Sequence, residues 1–141
     1  MNLWVTSAVI IGMLFGGACS EQSTVSGSGN EEASQANSPE QRTLPELYKH
    51  FESSGIVIEA KEPKHGGIIG ATAGKSLRIG DGHVEVYQYN LSIESGVEAL
   101  ARLKRRGVMG RAAIVNNNLV LLDTPDHPQW KKIETVFLGM K

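Results

Sequence analysis

The sequence contains a single cysteine, Cys19, among its 141 residues. One cysteine excludes an internal disulfide bond and any zinc site built from several cysteines. Stability must therefore come from packing. The length allows one domain, and an apolar content of 40% is ordinary for a globular protein with a core.

Basic residues are absent from Met1 to Gln41. All 14 Lys and Arg residues and 11 of the 15 acidic residues lie from Arg42 onward, which gives this part of the chain a charge of +3. Nucleic-acid binding generally requires a much larger basic excess on one face. The charge balance therefore predicts no nucleic-acid partner.

The N-terminus is an apolar run from Leu3 to Ala18. At 1.5 Å per residue it is shorter than the roughly 30 Å hydrocarbon core of a bilayer, which favours a signal peptide over a spanning helix. The segment Phe15-Gly16-Gly17-Ala18-Cys19 resembles the lipobox of bacterial lipoproteins, in which small residues precede a cysteine that carries diacylglycerol. The resemblance implies a signal peptide over residues 1–18 and an acylated Cys19 as the first residue of the mature chain.

Two other fates of the N-terminus stay open. Gly16 and Ala18 also satisfy the small-x-small pattern of an ordinary secretory signal, and an uncleaved anchor is the second alternative. A lone cysteine at this junction favours the lipoprotein. We therefore expect an exported protein held at a membrane by its N-terminal lipid, palmitate included, and facing the periplasm or the cell exterior.

Residues 19–42 are predicted to form a lipid-anchored, disordered linker. The segment is rich in Ser, Gly, Glu, Gln and Asn, and Val25 is its only large apolar residue. Such a composition cannot bury enough apolar surface to offset the entropy of ordering. The folded domain is accordingly expected over residues 43–141.

Three segments of this domain have the apolar spacing of amphipathic helices. The first begins with a capping box formed by Thr43 and Glu46, the second is predicted to be capped by Ser92, and the third by Asp126. Helix periodicity predicts that the inward stripe of the second helix consists of Ile93, Val97, Leu100 and Leu103.

Strand patterns lie between these helices. One strand is predicted over Ile56–Ala60, and two hairpins have their turns at Gly80–Gly82 and Asn116–Asn118. The predicted fold class is α+β, with a small, largely antiparallel sheet of two hairpins plus one strand packed against three helices. We expect the helices to cover one face of the sheet and leave Tyr87 and Tyr89 exposed.

The domain also resembles a known group of proteins. The segments Ile69–Ala71, Val84–Tyr89, Val115–Leu121 and His127-Pro128 look like those of a family of small bacterial lipoproteins and exported proteins of unknown function. The resemblance covers residues 44–140. It implies export and an α+β fold, and it carries no activity and no functional residue.

One cluster of positive charge lies on and after the second helix. Arg102, Arg105 and Arg106 lie opposite its apolar stripe, and Glu98 is placed one turn before Arg102 to form an ion pair. This surface is a candidate for binding anionic lipid headgroups, an envelope protein or an acidic polymer. The alternative is a solvated helix end whose cations suit the helix dipole. The whole cluster consists of Arg102, Lys104, Arg105, Arg106 and Arg111.

Two other patterns are weaker. The segment Gly70–Ser76 has three residues between its glycines where a phosphate-binding loop has four, and a strand follows it, so we interpret it as a glycine-rich connector. His83 and Glu85 share one strand face, with Asp81 and His65 nearby in sequence, but nothing fixes the remaining ligands of a metal. No metal site and no cofactor are therefore predicted.

The chain has no serine in a nucleophile-elbow motif, and Cys19 is consumed by processing. The sequence therefore predicts no catalytic residues and no enzyme activity. The leading hypothesis is an envelope lipoprotein with a binding or accessory role, and the alternative is a small secreted inhibitor or effector of another enzyme. An enzyme would need a deep pocket that gathers His65, Asp81, His83 and Glu85.

Overall fold

The computed structural model describes residues 40–141. The predicted signal peptide, the predicted lipid attachment at Cys19 and the linker up to residue 39 lie outside the described residues. The described residues begin with Glu40, and the first helix follows at Leu44.

Three α-helices, one short 3-10 helix and five strands form the described part of the chain. The strand order is β1-β2-β3-β5-β4, and every neighbouring pair is antiparallel. The α+β class, with two hairpins and one further strand in an antiparallel sheet beside three helices, is confirmed. The elements are α1 (Leu44–Ser53), β1 (Ala60–Pro63), the 3-10 helix (Gly67–Ile69), β2 (Ala73–Ile79), β3 (Gly82–Gln88), α2 (Glu94–Arg106), β4 (Ala113–Asn116), β5 (Leu119–Leu122) and α3 (Trp130–Leu138).

The helices cover both faces of the sheet. Helices α1 and α3 pack on the face that includes Val86 and Leu121, whereas α2 packs on the face that includes Tyr87 and Val120. Tyr87 and Tyr89 are only 6% and 0% exposed. The predictions of one covered face and an exposed tyrosine row were therefore wrong.

The sequence of strand β5 explains why both faces of the sheet are covered. Its four residues, Leu119–Leu122, are apolar without a break, and all four are buried. Neighbouring side chains on a strand point to opposite faces, so a strand that is apolar at every position needs cover on both sides. This run is the sequence signal for a second helical layer.

Helix α1 begins with the predicted capping box. The Thr43 N–H donates to the Glu46 carboxylate at 2.6 Å, and the Glu46 N–H donates to the Thr43 hydroxyl at 3.4 Å. The hydrogen bonds from Thr43, backbone first, hold the pKa of the Glu46 carboxyl below its ordinary value. The box therefore supplies partners for two N–H groups at the helix start.

The end of α1 determines where the next strand starts. Gly55 has φ +75°, and the following Ile56 N–H turns back to donate to the Phe51 carbonyl at 2.9 Å. This Schellman arrangement draws Ile56 into the core beside Phe51, where both are 0% exposed. Ile56 is therefore a core anchor outside the sheet, and β1 begins at Ala60 instead of at Ile56 as predicted.

Helix α2 starts without the predicted serine cap. It begins at Glu94, preceded by Ile93, which makes no capping hydrogen bond through its side chain. The Ser92 hydroxyl accepts a hydrogen bond from the Gln41 side chain at 2.7 Å instead. The hydroxyl that local spacing assigned to the helix cap is therefore bonded to a residue 51 positions away in the sequence.

Helix α3 also starts later than predicted. It begins at Trp130, and Asp126 makes no cap. His127 is 5% exposed; its Nδ1 accepts from the Gln129 N–H at 3.0 Å, and its Nε2 lies 3.0 Å from the Ile79 carbonyl. His127 thus ties the entry of α3 to the end of β2, a structural role.

The residues just before α1 are tied to the β4-β5 hairpin and to the start of α2. The Arg42 N–H donates to the Asn118 side chain at 2.8 Å, and the Arg42 guanidinium donates to the Asn116 side chain at 2.6 Å. Gln41 accepts from the Leu91 N–H at 2.9 Å. Residues 41 and 42, at the end of the predicted linker, are therefore hydrogen-bonded to the domain.

Candidate anion-binding groove

The side of α2 that packs against the core differs from the predicted one. Leu100 and Leu103 are buried as expected, but Ile93 and Val97 are 49% and 48% exposed. The buried side is shifted toward small residues, and position 96 has no room for a side chain, because the Asn90 carbonyl oxygen occupies the space that a Cβ there would need. The residues that α2 buries are Gly96, Ala99, Leu100 and Leu103.

The loop between β1 and β2 packs closely against α2. Gly70 has φ +75°, and a Cβ built on it would lie 2.5 Å from the Ala99 Cβ. The Ile69 carbonyl accepts a hydrogen bond from the buried Tyr89 hydroxyl at 3.1 Å. A glycine at position 70 is therefore required, both for its backbone conformation and for the approach to the helix.

A groove of about 350 Å³ runs between this loop and the C-terminal half of α2. Arg102 and Arg106, one helical turn apart, line it from the helix, and Gly67–Gly70 line it from the loop. Arg105 is exposed but does not line this groove. The structure thus brings together two of the three predicted arginines, and we call this site the arginine groove.

The arginines of α2 have no acidic partner within residues 40–141. Five ion pairs occur in this part of the chain, and none of them includes Arg102, Arg105 or Arg106. The predicted pair between Glu98 and Arg102 is not formed. The positive charge of the arginine groove is therefore not neutralised by any described carboxylate within 4.0 Å.

Arg111 belongs to a different part of the molecule, so its place in the predicted cluster was wrong. Its guanidinium donates to the Asp123 carbonyl at 2.9 Å and to the Thr124 hydroxyl at 2.6 Å, and lies 3.3 Å from the Glu85 carboxylate. Three partners on two other segments hold this side chain in place. Arg111 therefore stabilises the sheet and is not part of the arginine groove.

Glu85 lies at the centre of this second network. Burial raises the pKa of its carboxyl, but a hydrogen bond from the Tyr87 hydroxyl and the charges of Lys64 and Arg111 outweigh burial and leave the pKa below its ordinary value. The Tyr87 hydroxyl donates to Glu85 at 2.8 Å. Burial, and then this contact with Glu85, raise the pKa of Tyr87.

The polar residues considered for a metal are not gathered into one site. His65 follows β1 at one end of β2, whereas Asp81 lies in the turn at the other end, about 20 Å away along the strand. His83 is exposed, and Glu85 is engaged in the network above. Within residues 40–141, no group of three His, Cys, Asp or Glu side chains is arranged to hold a metal ion.

The segment Gly70–Ser76, whose glycine spacing differs from that of a phosphate-binding loop, is a strand from Ala73 onward. Gly74, Lys75 and Ser76 lie in β2 and pair with β3. A Cβ on Gly74 would lie 2.7 Å from the Tyr87 ring, so this glycine makes room for a buried aromatic residue. The interpretation as a connector was wrong from Ala73 onward.

A second depression, of about 820 Å³, lies beside the start of α3. Its basic side chains are engaged: Lys132 donates to the Gly55 carbonyl at 2.6 Å, and Lys131 lies 3.9 Å from Glu134. This depression is larger than the arginine groove. We nevertheless regard the arginine groove as the better candidate, because its charges have no described partner.

Sequence reasoning missed Ile68 as a site residue. Ile68 lines the arginine groove and is 94% exposed, while the neighbouring Ile69 packs against the α2 core. Two isoleucines flanked by glycines in a loop were the available signal, since only one of them can face the core.

Comparison with known proteins gives no family: no protein-family model, no curated protein and no solved structure matches the chain. The resemblance to small exported lipoproteins therefore stays a prediction. In the described range, no helix has the length and apolar character that crossing a bilayer requires.

Proposed function

We propose that this chain is an exported lipoprotein, anchored through Cys19, whose domain is a non-enzymatic module that binds an anionic partner in the arginine groove. The observation that carries the binding role is the pair Arg102 and Arg106, which line the groove without an acidic partner among the described residues. The lipid anchor rests on the lipobox-like sequence before Cys19.

The chemistry of the lining supports binding in preference to catalysis. Apart from the two arginines, the groove is lined only by Gly, Ala, Ile and Leu residues. Arginine stays protonated in proteins and cannot act as a general base, and the other residues have no group that transfers a proton or attacks a substrate. Such a lining is suited to holding an anion in place.

Arginine also indicates the kind of anion. Its planar guanidinium forms paired hydrogen bonds with phosphate and carboxylate groups. Arg102 and Arg106 are four residues apart, and one turn of helix rises about 5.4 Å. Neighbouring charged groups on a polymer or a surface can therefore be held together.

A charge reversal tests this role. The mature chain, exported through a heterologous secretory signal and carrying Cys19→Ala, is titrated with inorganic polyphosphate as a model anion. Because each arginine loses its charged hydrogen bonds, Arg102→Glu with Arg106→Glu is expected to weaken binding by about 100-fold. Raising the salt concentration is expected to weaken the wild-type complex as well.

A matched control makes the same change in net charge on the other face of the sheet. Lys49 on α1 and Lys131 on α3 are both exposed, and α1 and α3 pack opposite α2. Lys49→Glu with Lys131→Glu is expected to keep most of the affinity. Equal losses of polyphosphate affinity in the two double variants would contradict a specific role for the arginine groove.

The export half of the proposal has its own test. Intact mass and membrane fractionation of the native precursor should show a chain that starts at an acylated Cys19 and is found with membranes. Cys19→Ala should abolish the lipid mass. An unmodified wild-type chain in the medium would instead support a secreted inhibitor or effector.

A further inference from the structure

Two highly exposed apolar side chains belong to the segments that border the arginine groove. Ile68 lines the groove and is 94% exposed, and Met109 is 98% exposed. Met109 lies two residues beyond Gly107, which also lines the groove, so the Cα atoms of these two residues are within about 7 Å of each other. These are the two most exposed large apolar residues among residues 40–141.

The backbone holds Met109 at the tip of a tight turn. Met109 has φ +49° and Gly110 has φ +78°, and Val108 and Arg111 pair on either side of them. Such turns favour Asn or Gly at the first of these positions, and the chain does use Asn117, with φ +58°, in the turn of the β4-β5 hairpin. A large apolar residue at position 109 is therefore not explained by turn formation or by packing.

We propose that the anionic partner of the arginine groove is the surface of a lipid bilayer, with Arg102 and Arg106 at the headgroup phosphates and Ile68 and Met109 inserted among the acyl chains. This inference rests on the proposed function and names its ligand. A soluble polyanion has the charge to bind the two arginines, but it has no apolar part to cover Ile68 and Met109. An anionic bilayer offers both chemistries within a few ångströms of depth.

The test uses the mature chain with Cys19→Ala, so that no acyl anchor contributes to vesicle binding. Sedimentation with vesicles of phosphatidylglycerol and phosphatidylcholine is compared with sedimentation with phosphatidylcholine alone. The wild-type chain is expected to bind the anionic vesicles and not the neutral ones. Neutralising Arg102 or Arg106 with Gln is expected to weaken binding about fivefold per residue.

Substitution of Ile68 and Met109 distinguishes binding to a lipid bilayer from binding to a soluble polymer. Ile68→Ser is expected to weaken vesicle binding about tenfold, and Met109→Ser several-fold, because each removes apolar surface that would otherwise leave water. Met109→Ser is expected to bind polyphosphate as the wild type does, because Met109 does not line the groove. Val57, which is 71% exposed and follows the α1 anchor Ile56, supplies the control Val57→Ser, with vesicle binding unchanged.

A spectroscopic variant reports insertion directly. Trp130 is the only tryptophan of the mature chain and is 6% exposed on the α1/α3 side. In Ile68→Trp, brominated lipids in anionic vesicles are expected to quench the new fluorophore and leave Trp130 unaffected. An absence of quenching, with the protein bound to the vesicles, would overturn insertion at this loop.

The remaining outcomes distinguish the two proposals. Binding of polyphosphate without binding of anionic vesicles would overturn the bilayer as ligand and leave the proposed function standing. Vesicle binding that Ile68→Ser does not change would also overturn it. Failure to bind either probe would overturn both proposals.

Discussion

The two faces of the sheet differ in what their residues do. On the α1/α3 face, large apolar side chains such as Phe51, Ile133 and Phe137 are 0% exposed and pack into the larger of the two cores. On the α2 face, the core is smaller and includes Tyr87 and Tyr89, whose hydroxyls form hydrogen bonds. One face provides most of the packing, and the other combines packing with polar contacts beside a groove.

The α2 face is itself divided. Glu85 and Arg111 form a network in which each charge has partners, and Arg102 and Arg106 line a groove without one among the described residues. Both groups contain arginines, but only the second leaves its charge available to a ligand. Charge alone therefore does not identify the site, and the contacts of each arginine do.

The largest expected effect is on the α1/α3 face. Phe137→Ala removes a fully buried ring from the main core, and we expect the free energy of unfolding to fall by about 3–5 kcal/mol. Arg102→Gln should change it by no more than about 0.5 kcal/mol. Denaturant unfolding of both variants measures the difference, and similar losses would remove the proposed division between the faces.

An intermediate effect is expected where the loop meets α2. Gly70→Ala places a Cβ against Ala99 at a positive φ, so we expect a loss of about 2 kcal/mol and weaker polyphosphate binding. Gly67→Ala, in the same loop, meets nothing within 4 Å and is the matched control for stability. Thermal unfolding of both variants should separate them, titration of Gly70→Ala measures its binding, and a Gly70→Ala protein with wild-type stability would contradict the close packing.

The smallest effect concerns alkaline pH. Burial raises the pKa of Tyr89 to about 12, from an ordinary value near 10. The unfolded chain ionises first, so Tyr89 stabilises the fold fully below pH 10, and this contribution is lost as the pH rises toward 12. Tyr89→Phe should show a shallower loss of stability over that range. If the free energy of unfolding falls equally with pH in Tyr89→Phe and in the wild type, this pH dependence does not come from Tyr89.

The local patterns predicted much of the fold. The capping box at Thr43, the turn after Ile79 and the asparagine turn before Leu119 depend on neighbouring residues, and the structure contains all three. The caps assigned to Ser92 and Asp126 failed because partners distant in sequence determine those segments. Spacing along one helix cannot reveal such partners.

The candidate site was predictable only in part. Helix periodicity placed Arg102, Arg105 and Arg106 on the exposed side, but only the approach of the glycine loop selected Arg102 and Arg106. Arg111 looked similar in sequence, and its partner Glu85, 26 residues away, became visible only in the fold. A groove forms between segments, so one segment cannot specify it.

The most direct test of the account is a map of amide chemical shifts in the ¹⁵N-labelled mature chain with Cys19→Ala during titration with polyphosphate. We predict that the largest changes cluster at Gly67–Gly70 and Arg102–Gly107, with little change in α1 and α3. Changes centred on α1, on α3 or on the depression beside Lys131 and Lys132 would contradict the arginine groove as the binding site.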